Sequence, residues 1–140
     1  MTLVFHMERV EACHPRLREF FGWWEKHGPW PITIPSNGGV RKDALEQARL
    51  FSEGHTKAML LIDTPHGRGC AVDAYPAVLD ATGQYVSGIR NNARDPRTAK
   101  MFAQYGALAE SWELTWGGRW TFQDLPHVEV PTWREQPFPP

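Results

Sequence analysis

Three side chains in two separate segments have the composition of a metal site. His66 and Asp73 lie in the segment 64–73, and His127 lies in the segment 124–129. Two imidazoles and one carboxylate form a ligand set of catalytic zinc, because three protein ligands leave the fourth tetrahedral position for water. We therefore take these three residues as candidate zinc ligands. The other histidines are interpreted as surface or hydrogen-bonded residues: His6, His14, His27 and His55.

A further carboxylate, Asp124, could provide the proton transfer that hydrolysis requires. It lies three residues before His127. A carboxylate beside a zinc site can accept a proton from water as the water attacks a carbonyl group. The alternative is a structural role, in which Asp124 caps a turn before Pro126. With the candidate ligands, the residue types favour hydrolytic chemistry.

Both segments match longer sequence patterns. The segment 64–73 fits the pattern SxHxxGxAxD, with Thr64 in place of the serine. The segment 116–129 fits WGGxWxxxxDxPHxE, with one residue fewer than usual before the aspartate. Three shorter segments are similar to the elements GYR, EQ and GRT: 39–41, 46–47 and 54–56.

In these patterns the chain resembles the M15 metallopeptidases. This family includes bacterial D-alanyl-D-alanine carboxypeptidases and phage L-alanyl-D-glutamate endopeptidases. The resemblance extends from about residue 39 to residue 129, most of the chain, with the motifs in the family's order. It implies an M15 or Hedgehog-like zinc peptidase fold and a role for each matched polar residue.

The resemblance implies that His66, Asp73 and His127 hold one zinc ion and that Asp124 is the general base. It also implies that Arg41 hydrogen-bonds the scissile carbonyl or the developing oxyanion, which suits a permanently charged, planar guanidinium group. The alternative for Arg41 is an ordinary surface residue at a helix start, because GVR stands here in place of GYR.

Four further residues in the motifs are candidates for support of the metal or contact with substrate. Thr64 keeps the hydroxyl of the family's serine and either holds a metal ligand or binds a substrate carboxylate. Glu129 shares a strand face with His127 by alternation, which suits a partner that orients an imidazole. Trp116 and Trp120 flank the second motif and would stack on sugar or peptide; the alternative for both is core packing.

Hydrophobic periodicity predicts three helices and several short strands. In the second helix we expect Leu45, Ala48 and either Leu50 or Phe51 to be buried. The tail after Pro131 is expected to be irregular. The predicted helices cover 15–27, 42–51 and 98–110; the predicted extended segments cover 32–34, 70–75 and 112–116; the predicted exposed loop or lid covers 81–96.

The glycines of the first motif disfavour a helix there, so we expect His66 in a loop and Asp73 on a strand. Alternation along that strand predicts that Cys70 faces away from the metal and lies in the core. Pro126 restricts the residue before it to extended geometry, so Asp124 and His127 are not expected on a helix.

Composition limits the possible partners and compartments. The net charge of −1, from 15 basic and 16 acidic side chains, argues against a nucleic-acid partner. The 2 cysteines, Cys13 and Cys70, do not suggest a disulfide framework or a thiolate zinc site. We read no secretory signal at the start of the sequence and no apolar segment of the roughly 18 residues that a membrane span needs. A monomer without membrane insertion is expected.

The sequence therefore predicts one α+β domain over residues 1–140, with a motif-bearing core at about 39–130 and a small antiparallel sheet flanked by helices. The predicted function is that of a zinc peptidase acting on peptidoglycan stem peptides. The expected bond is L-alanyl-D-glutamate, in a phage or prophage endolysin made in the bacterial cytoplasm and released to the wall through a holin-type pore. The alternatives are a D-alanyl-D-alanine carboxypeptidase and a non-catalytic zinc-containing wall-binding module.

Overall fold

The computed structural model describes residues 1–79, 81–82, 85–87 and 96–140. Among these residues, three α-helices, four short 3-10 helices and seven short strands make up the regular structure. The α-helices are α1 (Pro15–His27), α2 (Ala44–Ser52) and α3 (Pro96–Ser111). The strands are β1 (Val4–Phe5), β2 (Ile32–Thr33), β3 (Ala71–Asp73), β4 (Tyr75–Leu79), β5 (Tyr85–Ser87), β6 (Thr115–Trp116) and β7 (His127–Glu129).

The strands form two sheets. One has the order β1-β2-β4-β5, and the other has the order β3-β7-β6. All pairings are antiparallel except β1 with β2, which is parallel. The predicted α+β class is confirmed. The small antiparallel sheet that was expected is divided into two sheets, because β3 and β4 are consecutive in the chain and join different sheets.

Helix α1 supplies much of the hydrophobic core, and its predicted bounds are confirmed. It begins with Pro15 at the first position, where a missing N–H costs nothing, and the His14 side chain accepts a hydrogen bond from the Arg16 N–H. Four inward side chains are fully buried against β-strand and α3 residues, one leucine and three aromatic residues: Leu17, Phe20, Phe21 and Trp24. This helix gives the sheets a fixed surface on which to pack.

Helix α2 is present as predicted, but its buried face is different. The Asp43 carboxylate caps it by accepting hydrogen bonds from two N–H groups of the first turn. Leu50 is buried and Phe51 is exposed, which confirms the first of the two alternatives, whereas Leu45 is 83% exposed, so its expected burial is wrong. The inward position three residues before Leu50 is taken by Gln47, which is 0% exposed. The hydrophobic pattern gave the wrong buried face because a polar residue, Gln47, occupies an inward position.

The remaining expectations are confirmed in part. Helix α3 is longer than predicted, and the predicted strand 112–116 is reduced to its last two residues. The cause is Glu113, whose left-handed φ of 60° reverses the chain directly after the helix. Within the predicted loop 81–96, residues 85–87 form β5, while 83–84 and 88–95 lie outside the described residues. In the tail, Trp133 is buried in a short 3-10 helix.

The core is one cluster that includes both cysteines, and Cys70 is buried in it as expected. Neither Cys13 nor Cys70 forms a disulfide. Among the residues that the structure describes, no helix has both the length and the apolar character needed to cross a membrane.

Candidate active site

Strand pairing brings two of the candidate ligands together. In the β3–β7 ladder Asp73 is the direct partner of His127, and Val72 is the partner of Val128. Directly opposed residues lie on the same face of a sheet. Since both valines are buried in the core, Asp73 and His127 share the other face. The expectation that Asp73 lies on a strand is confirmed.

The third ligand candidate, His66, is held in a turn by a backbone carbonyl. Its Nδ1 lies 3.0 Å from the Gly39 carbonyl oxygen. Because a carbonyl can only accept, Nδ1 must carry the proton, and in the neutral ring Nε2 keeps its lone pair. Nε2 lies 3.3 Å from Asp73 Oδ2. Gly39 is required here, since a Cβ would overlap the Arg9 carbonyl oxygen.

The His127 imidazole lies between two carboxylates. Nε2 is 2.8 Å from Glu129 Oε1, and Nδ1 is 3.1 Å from Asp73 Oδ1. Burial lowers the pKa of His127, but Asp73 and Glu129 outweigh burial and raise that pKa to about 10. Although burial alone would raise the pKa of Asp73, the two histidines hold it well below its usual range. The cluster therefore binds positive charge strongly.

This arrangement fits a zinc ion. His66, Asp73 and His127 each offer one ligand atom, and these atoms lie within 4.8 Å of one another. With protons on His66 Nδ1 and His127 Nε2, two lone pairs would face the Asp73 carboxylate, which is unfavourable unless a cation lies between them. On each imidazole, a metal ion takes the place of the proton on the nitrogen that faces Asp73, because a ligating nitrogen must be deprotonated. Two nitrogens and one carboxylate oxygen are donors that zinc accepts.

Asp124 lies beside the ligand cluster on the loop that leads into β7. Its Oδ2 is 3.8 Å from His127 Nδ1, and its side chain is 43% exposed. The loop is fixed by its backbone, since the Asp124 N–H donates to the Gly117 carbonyl at 3.0 Å. Burial raises the pKa of Asp124, and the Asp73 carboxylate adds to the rise. A carboxylate with a raised pKa is better suited to accept and return a proton.

Arg41 lies near the same carboxylates. Its Nε donates to the Asn37 carbonyl at 3.3 Å, and its Nη1 donates to Gln47 Oε1 at 3.5 Å. Its backbone N–H donates to the His66 carbonyl at 3.1 Å. Burial lowers the pKa of Arg41, while Asp73 and Asp124 oppose that change. The guanidinium is thus part of the site's electrostatics rather than a free surface group.

The four supporting candidates occupy different positions. Glu129 contacts His127 directly, as described above. The Trp120 ring is 39% exposed and its centroid lies 5.1 Å from that of His127. Trp116 is buried, and its Nε1 donates to the Leu125 carbonyl at 2.8 Å. This hydrogen bond holds the loop directly after Asp124. Thr64 is buried and ends the short 3-10 helix Leu61–Asp63.

Sequence reasoning assigned no role to three residues around this cluster. Gln47 belongs to the motif segment 46–47, and its burial joins it to Arg41. Lys57 contacts Phe122, which lies on the loop that carries Asp124, with the ammonium 5.2 Å from the ring centre. A glutamine on an inward helix position is a signal that could have been used for Gln47. No sequence signal points to the contact of Lys57 with Phe122.

Two comparisons with known proteins gave matches. A model of an M15 peptidase family, described as D-alanyl-D-alanine carboxypeptidase, matches residues 63–130, which include all three candidate ligands and Asp124. The search of curated proteins gave no match. Among solved structures, the L-Ala D-Glu endopeptidase ChiX of Serratia marcescens has a TM-score of 0.61 at 20% identity, over 87% of this chain and 83% of that chain. At this identity the likeness shows a shared fold.

Proposed function

We propose that the chain, whose residues 63–130 match an M15 peptidase family model, is a zinc-dependent endopeptidase acting on peptidoglycan stem peptides. The observation that carries the proposal is the orientation of the two imidazoles. The Gly39 carbonyl and the Glu129 carboxylate each engage the ring nitrogen that points away from Asp73. Such outer partners orient a ligating histidine and select its tautomer.

Zinc bound by His66, Asp73 and His127 would polarise the scissile carbonyl and lower the pKa of water. The proton transfers belong to Asp124, which accepts a proton from the attacking water and returns it to the leaving amine. Its raised pKa suits both steps. Arg41 donates to the carbonyl oxygen as negative charge develops there. The Trp120 ring lies against one side of the His127 imidazole.

The proposed bond joins L-alanine to D-glutamate. Two features support this choice: ChiX, described as an L-Ala D-Glu endopeptidase, has the same fold, and the aspartate at position 124 resembles the phage endopeptidases. The second candidate is a D-alanyl-D-alanine carboxypeptidase, which is the description of the matching family model. A non-catalytic wall-binding module would have no use for a carboxylate at the position of Asp124.

The narrower proposal is a phage or prophage endolysin that reaches the wall through a holin-type pore. It is supported by the resemblance of the motifs to phage members of the family. Action as a monomer, without nucleic acid or membrane insertion, is part of the same proposal. The net charge of −1 argues against a nucleic-acid partner.

The test is a digest of purified peptidoglycan with zinc-loaded protein, analysed by mass spectrometry beside a chelator-treated sample. We expect stem peptides that begin with D-glutamate, and we expect none after chelation. Release of terminal D-alanine would favour the carboxypeptidase. An intact wall that retains bound protein would favour the binding module.

A further inference from the structure

The loop after α2 carries a lysine that lacks an acidic partner among the described residues. Lys57 is exposed and contacts the Phe122 ring, with its Nζ 5.2 Å from the ring centre. The neighbouring cation on α2 is different, because Arg49 pairs with Glu46 and Glu53. A cation over an aromatic face keeps its full charge and is held in place by about 0.5–1 kcal/mol. Lys57 is therefore a positioned positive charge.

The aromatic partner of Lys57 leads directly to the metal cluster. Phe122 is 81% exposed, so core packing does not explain it. It lies on the same loop as Trp120, whose ring contacts the His127 imidazole with centroids 5.1 Å apart. Asp124 follows on this loop. An exposed aromatic segment that runs outward from a catalytic centre is a surface for a bound peptide.

Gln47 connects the lysine loop to Arg41. Its Nε2 donates to the Ala58 carbonyl at 2.6 Å, and its Oε1 accepts from Arg41 Nη1 at 3.5 Å. Since Gln47 is fully buried, both contacts are shielded from water. Lys57 immediately precedes Ala58, so its backbone is tied to the candidate carbonyl-binding arginine. We call the set Arg41, Gln47, Lys57, Trp120 and Phe122 the rim.

We propose that Lys57, supported by Phe122, binds a carboxylate of the substrate beside the scissile bond. This inference rests on the proposed function. In an L-alanyl-D-glutamyl peptide that continues through the γ-carboxyl group, the α-carboxylate on the leaving side remains free and anionic. Arg41 is less suited to it, because the Asp73 and Asp124 carboxylates already lie near its guanidinium group and partly neutralise its positive charge. The rim thus offers one cation for the carbonyl and a separate one for the carboxylate.

The test compares two synthetic stem peptides that differ only in the α-carboxylate or α-carboxamide of the D-glutamyl residue. Binding to zinc-loaded Asp124→Asn protein, which should turn over slowly, is measured by calorimetry. We expect the carboxylate peptide to bind about 3- to 10-fold more tightly, the range of a partly exposed charged hydrogen bond. Lys57→Met in the same background should abolish the preference, and Lys57→Arg should keep most of it.

The matched control is Lys26→Met, an exposed lysine on α1, which should retain the preference. Equal binding of the two peptides before any lysine change, or a preference that survives Lys57→Met, would overturn the inference. Cleavage by the unsubstituted protein is recorded separately. A carboxylate preference without cleavage would refute the proposed function and retain the subsite, and cleavage without a preference would do the reverse. In the cleaving enzyme, Lys57→Met should raise KM more than it lowers kcat.

Discussion

The ligand cluster and the rim are built in different ways. In the cluster, the register of β3 and β7 places Asp73 opposite His127, and backbone pairing supports both residues. In the rim, Arg41, Gln47 and Lys57 come from an irregular segment, a short helix and a loop, and side-chain contacts join them. A metal site needs fixed distances, whereas a substrate surface needs only the correct charge and shape. The paired strands therefore position two of the three candidate ligands, a turn positions His66, and side chains define the substrate surface.

Loss of Asp73 should have the largest effect, because it faces both imidazoles. Asp73→Ala should lower the zinc content from one ion per chain to none at micromolar zinc and reduce cleavage to background. Inductively coupled plasma mass spectrometry of dialysed protein measures the metal. Asp63→Ala, at an exposed carboxylate in the turn before His66, is the control and should keep its zinc. Full zinc content in the Asp73 variant would exclude this ligand.

Asp124→Asn separates chemistry from metal binding. The amide cannot accept the proton, so kcat should fall about 10²-fold to 10⁴-fold, the usual size of a general-base contribution. Zinc content should stay at the unsubstituted level, since Asp124 is not among the three converging ligands. Both quantities are measured on one preparation. Unchanged turnover would refute the general-base role, and lost zinc would make Asp124 a ligand.

Glu129→Gln tests the carboxylate that contacts His127 Nε2 at 2.8 Å. The amide keeps the shape of the side chain and weakens the electrostatic support of the imidazole, so zinc affinity should fall about 10- to 100-fold. Competition with a fluorescent chelator measures the affinity. Glu135→Gln, at an exposed glutamate, should leave it unchanged. Equal affinities in the two variants would contradict an orienting role for Glu129.

Gln47→Leu should have the smallest effect, because it acts through the rim alone. Loss of the two amide contacts should lower kcat/KM about 10-fold, as expected for about 1–1.5 kcal/mol of hydrogen bonding, while zinc affinity stays the same. Gln104→Leu, at an exposed glutamine on α3, is the control for hydrophobic substitution on a helix. A change in zinc affinity in the Gln47 variant would mean that cluster and rim are not independent.

The same difference between regions decided what could be predicted from sequence. The cluster could be predicted, because the sequence pattern around His66, Asp73 and His127 includes the glycines and proline that set the local backbone together with the ligands. Helix α1 could be predicted too, since its apolar residues have regular spacing and its start is marked by Pro15.

The rim was harder to predict, because the contacts of Gln47, Lys57 and Phe122 depend on tertiary structure and not on a local sequence pattern. Leu45 was expected to be buried and is exposed, while Gln47 occupies the inward position and satisfies its amide with Arg41 and Ala58. Hydrophobic periodicity counts a glutamine as polar and cannot register partners that tertiary structure supplies. The left-handed turn at Glu113 shortens the predicted strand 112–116. It could not be predicted, because the position is not occupied by glycine, the usual sequence signal of such a turn.

The most direct test is a crystal structure of the zinc-loaded protein with anomalous scattering measured at the zinc edge. We expect one anomalous peak within bonding distance of His66 Nε2, His127 Nδ1 and an Asp73 carboxylate oxygen, with His66 Nδ1 still on the Gly39 carbonyl and His127 Nε2 still on Glu129. A zinc ion bound to His127 Nε2 and Glu129, or no peak at these residues, would contradict the assignment of the site.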